Sequence, residues 1–149
     1  MAAAIVTCPN CGRRNRVRPN PAAVPKCANC GERLPWDVAA DAESFAEEIL
    51  APVPVIVDFW APWCAPCRAV SPVLERLART NAGRLKLVRL NVDEAPEIAA
   101  EHRAMSIPTM VVMRDGAEVD RVVGALPGRQ LEERFARHIA APAGEGEAA

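Results

Sequence analysis

Six cysteines in this 149-residue chain fall into three pairs of one spacing: Cys8/Cys11, Cys27/Cys30 and Cys64/Cys67. Each is a Cys-x-x-Cys turn, and such a turn either supplies half of a metal site or forms a redox pair, depending on its surroundings. No stretch approaches the roughly 20 apolar residues that span a membrane. The segment Met1–Thr7 has no basic n-region and too short an apolar run for a signal peptide. The expected compartment is therefore the cytoplasm, where stable structural disulfides are rare, and the cysteines call for metal or redox chemistry.

Cys8-Pro-Asn-Cys11-Gly12 and Cys27-Ala-Asn-Cys30-Gly31 are near-repeats of one turn, with fifteen residues between Cys11 and Cys27. Two residues between thiolates let one tight turn aim both sulfurs at a single ion, and the glycine after each second cysteine permits the positive φ such turns often need. Four thiolates at this spacing predict a closed, structural, tetrahedral Zn²⁺ site at Cys8, Cys11, Cys27 and Cys30. The competing readings are two metal-free redox pairs, or iron in place of zinc. Residues 1–35 are turn-rich and leave little regular structure. They are too few to bury a core, so metal would stabilise the fold of this module.

Charge also divides the chain. Residues 1–35 hold six basic residues and one acidic, and the remainder holds twelve basic and eighteen acidic. This points to two modules, a zinc-binding one over 1–35 and a larger domain over 36–140, followed by a disordered tail over 141–149. The arginines of the first module solvate it or face the acidic domain. No aromatic residue accompanies them for base stacking, which argues against nucleic acid.

In the larger domain Asp41 is a candidate N-cap for a helix with Phe45, Ile49 and Leu50 as its apolar positions. Residues 53–60 read as a strand buried on both faces, and Leu85–Val92 as a second. Helical patterns cover about 64–80, where Pro72 should introduce a kink, then 96–103 and 129–139. Thr109–Arg114 and Glu118–Val123 flank Asp115-Gly116 as a hairpin. Strands separated by helices and ending in a hairpin predict an α/β fold with a central mixed sheet and helices on both faces.

The third pair sits where a buried strand hands over to a helix, in Trp60-Ala-Pro-Trp63-Cys64-Ala-Pro-Cys67-Arg68. Cys64 then lies at the helix N-terminus, where free N–H groups and the helix dipole favour a thiolate nucleophile. Cys67, one turn later, points inward and is placed to resolve the mixed disulfide. Asp58 interrupts an apolar strand, so burial should raise its pKa and suit it to exchange protons with Cys67. The alternative is an aspartate at a strand end in water. Taken alone, Ile107-Pro108-Thr109 says only that Pro108 starts a strand or makes a turn.

Over residues 37–140 the chain resembles thioredoxin, on four ordered blocks: 57–68, Arg89-Leu-Asn-Val-Asp93, Ile107-Pro108-Thr109 and Val123-Gly124-Ala125-Leu126. With the N-terminal quartet it is similar to the bacterial thioredoxin type that carries a zinc module. The resemblance implies the thioredoxin fold, with Cys64 as nucleophile, Cys67 as resolving thiol and Asp58 as buried proton acceptor. It implies a cis proline at Pro108, backbone pairing of substrate with Ile107, and a landing surface made of Trp63, Ile107, Pro108, Gly124 and Ala125. It further implies recharging by thioredoxin reductase and a link to oxidative stress. Three residues depart from the family's usual pattern. Ala65 replaces a glycine, Arg68 replaces a lysine, and Arg89 replaces a lysine that can be neutral where arginine cannot.

The function expected is a monomeric protein-disulfide reductase acting on disulfide-containing client proteins, with no organic cofactor, nucleic acid or membrane involved. The alternatives are a zinc-linked redox-regulated chaperone, a dedicated thiol carrier, a non-catalytic scaffold and a zinc-ribbon nucleic-acid binder.

Overall fold

The computed structural model describes residues 4–18 and 22–139; the tail expected over 141–149 lies outside them. Two strands, β1 (Ala4–Thr7) and β2 (Arg14–Val17), form an antiparallel hairpin around the first cysteine turn. After them come β3 (Trp36–Ala40), α1 (Phe45–Glu48), β4 (Val55–Trp60), α2 (Ala65–Thr80), β5 (Lys86–Asn91), α3 (Pro96–Glu101), β6 (Thr109–Arg114), β7 (Ala117–Val123) and α4 (Gly128–Ala136). The five-stranded sheet has the order β3-β5-β4-β6-β7. Its first three strands run parallel, and β6 and β7 run antiparallel. This is the expected mixed sheet.

Strand parity sorts the core into two layers. Val55, Val57 and Phe59 of β4 face one side, with Val38, Val88, Leu90 and Phe45. Ile56 faces the other, with Val70, Leu74 and Leu77 of α2 and Leu131 and Phe135 of α4. The period of two carries Asp58 to the same side as Ile56, under α2. In β5 it likewise places Arg89 on the α2 side, beside Leu87, and Lys86 on the opposite side.

Two local expectations need correction, and one strand has no counterpart among them. The N-terminal segment is more regular than its turn residues suggest: besides β1 and β2, Lys26 and Arg33 form a β-bridge. Trp36–Ala40, which carries no strong strand signal, is an edge strand paired with β5. Its two alanines have little β-propensity, so tertiary pairing decides its state. The helix expected after Asp41 is a single turn whose N-cap is Ser44. Asp41 Oδ1 instead accepts from the N–H groups of Glu43 (2.9 Å) and Ser44 (2.8 Å) in the preceding turn.

The cysteine module packs on the end of the sheet where β3 begins. Trp36 is level with Lys86 and Val55. Cys8, Val17, Cys27 and Leu34 are continuous with the core layer that holds Trp36. Trp36 is 1% exposed, and Lys86 Nζ lies 4.5 Å from its ring centroid while pairing with Glu48 at 2.8 Å. A fully buried ammonium is tolerated there because a carboxylate and an aromatic face both compensate it.

Candidate active site

At the opposite end of the sheet β4 finishes at Trp60, and the chain turns into α2 with Cys64 as its N-cap in extended conformation. Pro66 lies in the first turn of α2, where a missing N–H costs nothing. Cys67 begins the buried stripe of α2 that continues through Val70, Leu74 and Leu77. Cys64 and Cys67 are joined as a disulfide. Cys64 Sγ accepts from the Cys67 N–H at 3.2 Å, so one of the helix's free donors already points at that sulfur. Ala61, Trp60, Val92 and Ile107 pack around the pair, leaving the two cysteines 4% and 2% exposed.

Asp58 is 2% exposed, and its Oδ1 has no hydrogen-bond partner. Burial pushes its carboxyl up from the ordinary 3.8 to about 7, with the Arg89 charge pulling down and Asp37 pushing up. A cavity of about 140 Å³ is lined by Asp58, Trp60, Cys67, Arg68, Ser71 and Arg89. It touches both the acid and the inner cysteine and is roomy enough for water. Arg89 does not point freely at Asp58. Its guanidinium is forked onto Asp37 (3.1 and 2.8 Å) and donates to Glu75 (3.0 Å) and Ser71 Oγ (2.7 Å). Ser71 and Glu75 come after Cys67 at successive steps of four along α2, which aligns all three on one face.

The apolar rim assembles from three loops. The Ile107–Pro108 bond is cis. Gly124, at φ +92°, donates its N–H to the Pro108 carbonyl at 2.8 Å and so holds the 124–125 loop beside the proline. Trp63 is 67% exposed and its Nε1 donates to Asp93 at 2.9 Å. Ile107 and Gly124 are half-buried, Pro108 is buried and Ala125 exposed. Sequence reasoning passed over Met105, which is 85% exposed two residues before Ile107. A lone methionine in the connection between α3 and β6 carries no pattern that would have marked it.

The remaining four cysteines converge away from this site. The sulfurs of Cys8, Cys11, Cys27 and Cys30 all lie within 4.8 Å of one another. Cys8 and Cys30 are 3.7 Å apart, and Cys11 and Cys27 are 3.5 Å apart. A tetrahedral ion with bonds of about 2.3 Å sets its sulfurs about 3.8 Å apart, so the donor set fits a four-coordinate metal. N–H groups from Cys30 and Asn29 push the Cys27 thiol down to about 6, and the Asn10 amide lowers that of Cys30. Both effects favour thiolates, the form a metal requires, whereas the Cys8 thiol is shifted up.

The thioredoxin family model matches residues 37–137. The chain belongs to the thioredoxin family. Among its relatives, thioredoxin 1 of Nostoc sp. is 44% identical over 97 residues, which are 64% of this chain and 91% of that protein. The thioredoxin of Porphyra purpurea is 45% identical over 97 residues, with the same shares. That of Staphylococcus aureus is 48% identical over 84 residues, 56% of this chain and 81% of the relative. The matched region starts at Asp37, seven residues after Cys30, the last of the quartet. As a thioredoxin with a closed Cys64–Cys67 pair, the protein is a thiol–disulfide oxidoreductase. Among the described residues of this thioredoxin, no helix is long and apolar enough to cross a membrane.

Proposed function

We propose that this protein reduces disulfides in other proteins, with Cys64 as the nucleophile. The observation that carries the assignment is the placement of Cys64 Sγ at the start of α2, against the N–H of Cys67 and beside the exposed Trp63. The reduced Cys64 thiolate attacks one sulfur of the client disulfide. A mixed disulfide forms and the client's other sulfur leaves as a thiolate that takes up a proton. Asp58, across the small cavity, accepts the proton of Cys67. The Cys67 thiolate attacks Cys64 Sγ, the second client sulfur is released, and the Cys64–Cys67 disulfide closes. A carboxyl titrating near neutral pH is matched to that transfer.

Trp63, Ile107, Pro108, Gly124 and Ala125 are the proposed client surface, extended by Met105. Thioredoxin reductase is the proposed electron donor, and the cytoplasm the proposed compartment. The protein works as a monomer in this reading. Residues 1–35 form a module around one structural Zn²⁺ held by Cys8, Cys11, Cys27 and Cys30, and residues 36–140 form the catalytic domain. The sulfur separations support zinc. The ion's contribution is to brace the module, and none of the steps above passes through it.

The test is NADPH-coupled reduction of a model protein disulfide with thioredoxin reductase, comparing the native chain and Cys64→Ser. Turnover by the native protein alone supports the assignment. Equal turnover by the variant sinks it.

A further inference from the structure

The dithiol, its acid and the apolar rim all lie at the C-terminal end of β4. The far end of the molecule carries a separate groove of about 560 Å³, walled by residues 13–18 on one side and 23–28 on the other. Arg13, Arg14, Arg16, Arg18 and Lys26 line it, all of them exposed, and among the described residues no carboxylate does. Among the described residues none of the five takes part in an ion pair. Uncompensated like charges around one concavity focus a positive potential and favour an anionic occupant. Trp36 also lines the groove, and its buried indole N–H has no acceptor among the described residues. A buried donor without a partner is uncommon.

We propose that this groove docks an extended acidic segment of a protein partner. Three observations favour a peptide over a nucleic acid. The rest of the chain holds twelve basic against eighteen acidic residues, which repels a long polyanion. No exposed aromatic ring stands in the groove to stack a base. Strand β2 pairs only with β1 among the described residues, so its outer edge offers backbone groups to an extended chain.

The position determines what docking does. Trp36 is level with Val55, the first residue of β4, and the dithiol lies just beyond Trp60, the last. Six strand residues separate the two ends by roughly 17 Å. An acidic segment in the groove therefore leaves Cys64 free. Its effect is to raise the local concentration of a disulfide carried elsewhere on the same partner.

The experiment uses the full chain and fluorescein-labelled hexaglutamate, followed by fluorescence anisotropy and by the tryptophan indole signals in ¹⁵N NMR. The native chain is expected to bind hexaglutamate, more weakly as salt is raised. Binding should fall about tenfold or more in the Arg14→Glu/Arg16→Glu double variant and stay within about threefold in Arg14→Lys/Arg16→Lys. The Trp36 indole signal should move on titration while that of Trp63 stays, and reduction of a neutral model disulfide should be the same in all three proteins. No binding, or binding indifferent to charge reversal, overturns the proposal. So does a response at Trp63 in place of Trp36, which puts the peptide at the dithiol end. Tighter binding of hexathymidylate than of hexaglutamate overturns the peptide reading in favour of nucleic acid.

Discussion

Cys27-Ala-Asn-Cys30 and Cys64-Ala-Pro-Cys67 differ by one residue between their cysteines, yet they do different things. The first turn closes on itself: the Gly31 N–H returns to the Cys27 carbonyl at 2.9 Å, and the sulfurs face those of a second, matching turn. The second turn opens into a sixteen-residue helix, its sulfurs are joined to each other, and Cys67 lines the cavity of Asp58. The backbone path out of a Cys-x-x-Cys turn therefore decides its chemistry. A glycine at φ +78° turns the chain back and leaves four thiols within reach of one ion, whereas proline in a first helical turn commits two thiols to the end of a helix.

The largest effect expected from this contrast is on the metal side. Zinc in closed four-thiolate sites contributes on the order of 10 kcal/mol to folding. The native chain is expected to hold one equivalent of zinc by elemental analysis, and Cys11→Ser should hold none and lose amide-exchange protection in β1 and β2. Disulfide reduction should survive in that variant within a small factor. If reductase activity disappears along with zinc, the two sulfur centres are not separable and the comparison fails.

The mirror experiment comes next. Cys64→Ser should lower turnover by on the order of 10³ or more while zinc content stays at one equivalent. Cys67→Ser should accumulate the mixed disulfide with the client, visible by mass spectrometry. A Cys67→Ser protein that turns over normally would remove the resolving role.

A smaller effect is expected at Asp58, and its size depends on pH. A carboxyl at 3.8 when unfolded and about 7 when folded is held in its neutral form by the native state. Its full stabilising effect is present below pH 4 and is lost as pH rises through 7. Asp58→Asn should then be more stable than the native chain above pH 7, by a few kcal/mol, with no gain below pH 4. It should also slow release of the mixed disulfide and flatten the pH profile of that step near 7. Denaturant melts at pH 4 and pH 9 check the first point, and a gain equal at both pH values would contradict it. The smallest effect belongs to the rim. Met105→Ala should raise KM for a protein disulfide by about two- to fivefold at unchanged kcat, because it removes contact area from binding alone. An unchanged KM would take Met105 out of the client surface.

Much of this molecule was legible in single residues and their neighbours. The three cysteine turns, the strand before Cys64, the helix after it and the 109–123 hairpin each rest on short-range chemistry: glycine φ, proline at a helix start, apolar runs, an Asp-Gly turn. Asp58 could be singled out for the same reason, since one carboxyl in an apolar strand is visible without coordinates. Even the side of the sheet it shares with Ile56 is set by a period of two.

Tertiary structure decided the rest, because those features depend on residues far apart in the chain. Trp36–Ala40 becomes a strand only by lying beside β5. Arg89 has its role set by Asp37 of β3 and by Ser71 and Glu75 of α2, which reach it from two separate stretches of chain. The separation of the cysteine quartet from the dithiol by the length of β4 belongs to the packing of a module against one sheet end. The basic groove around Trp36 exists only there. Local sequence sets what each turn can do. Only the long-range pairing of strands sets which turns share a site, since no single segment carries the information about its neighbours in space.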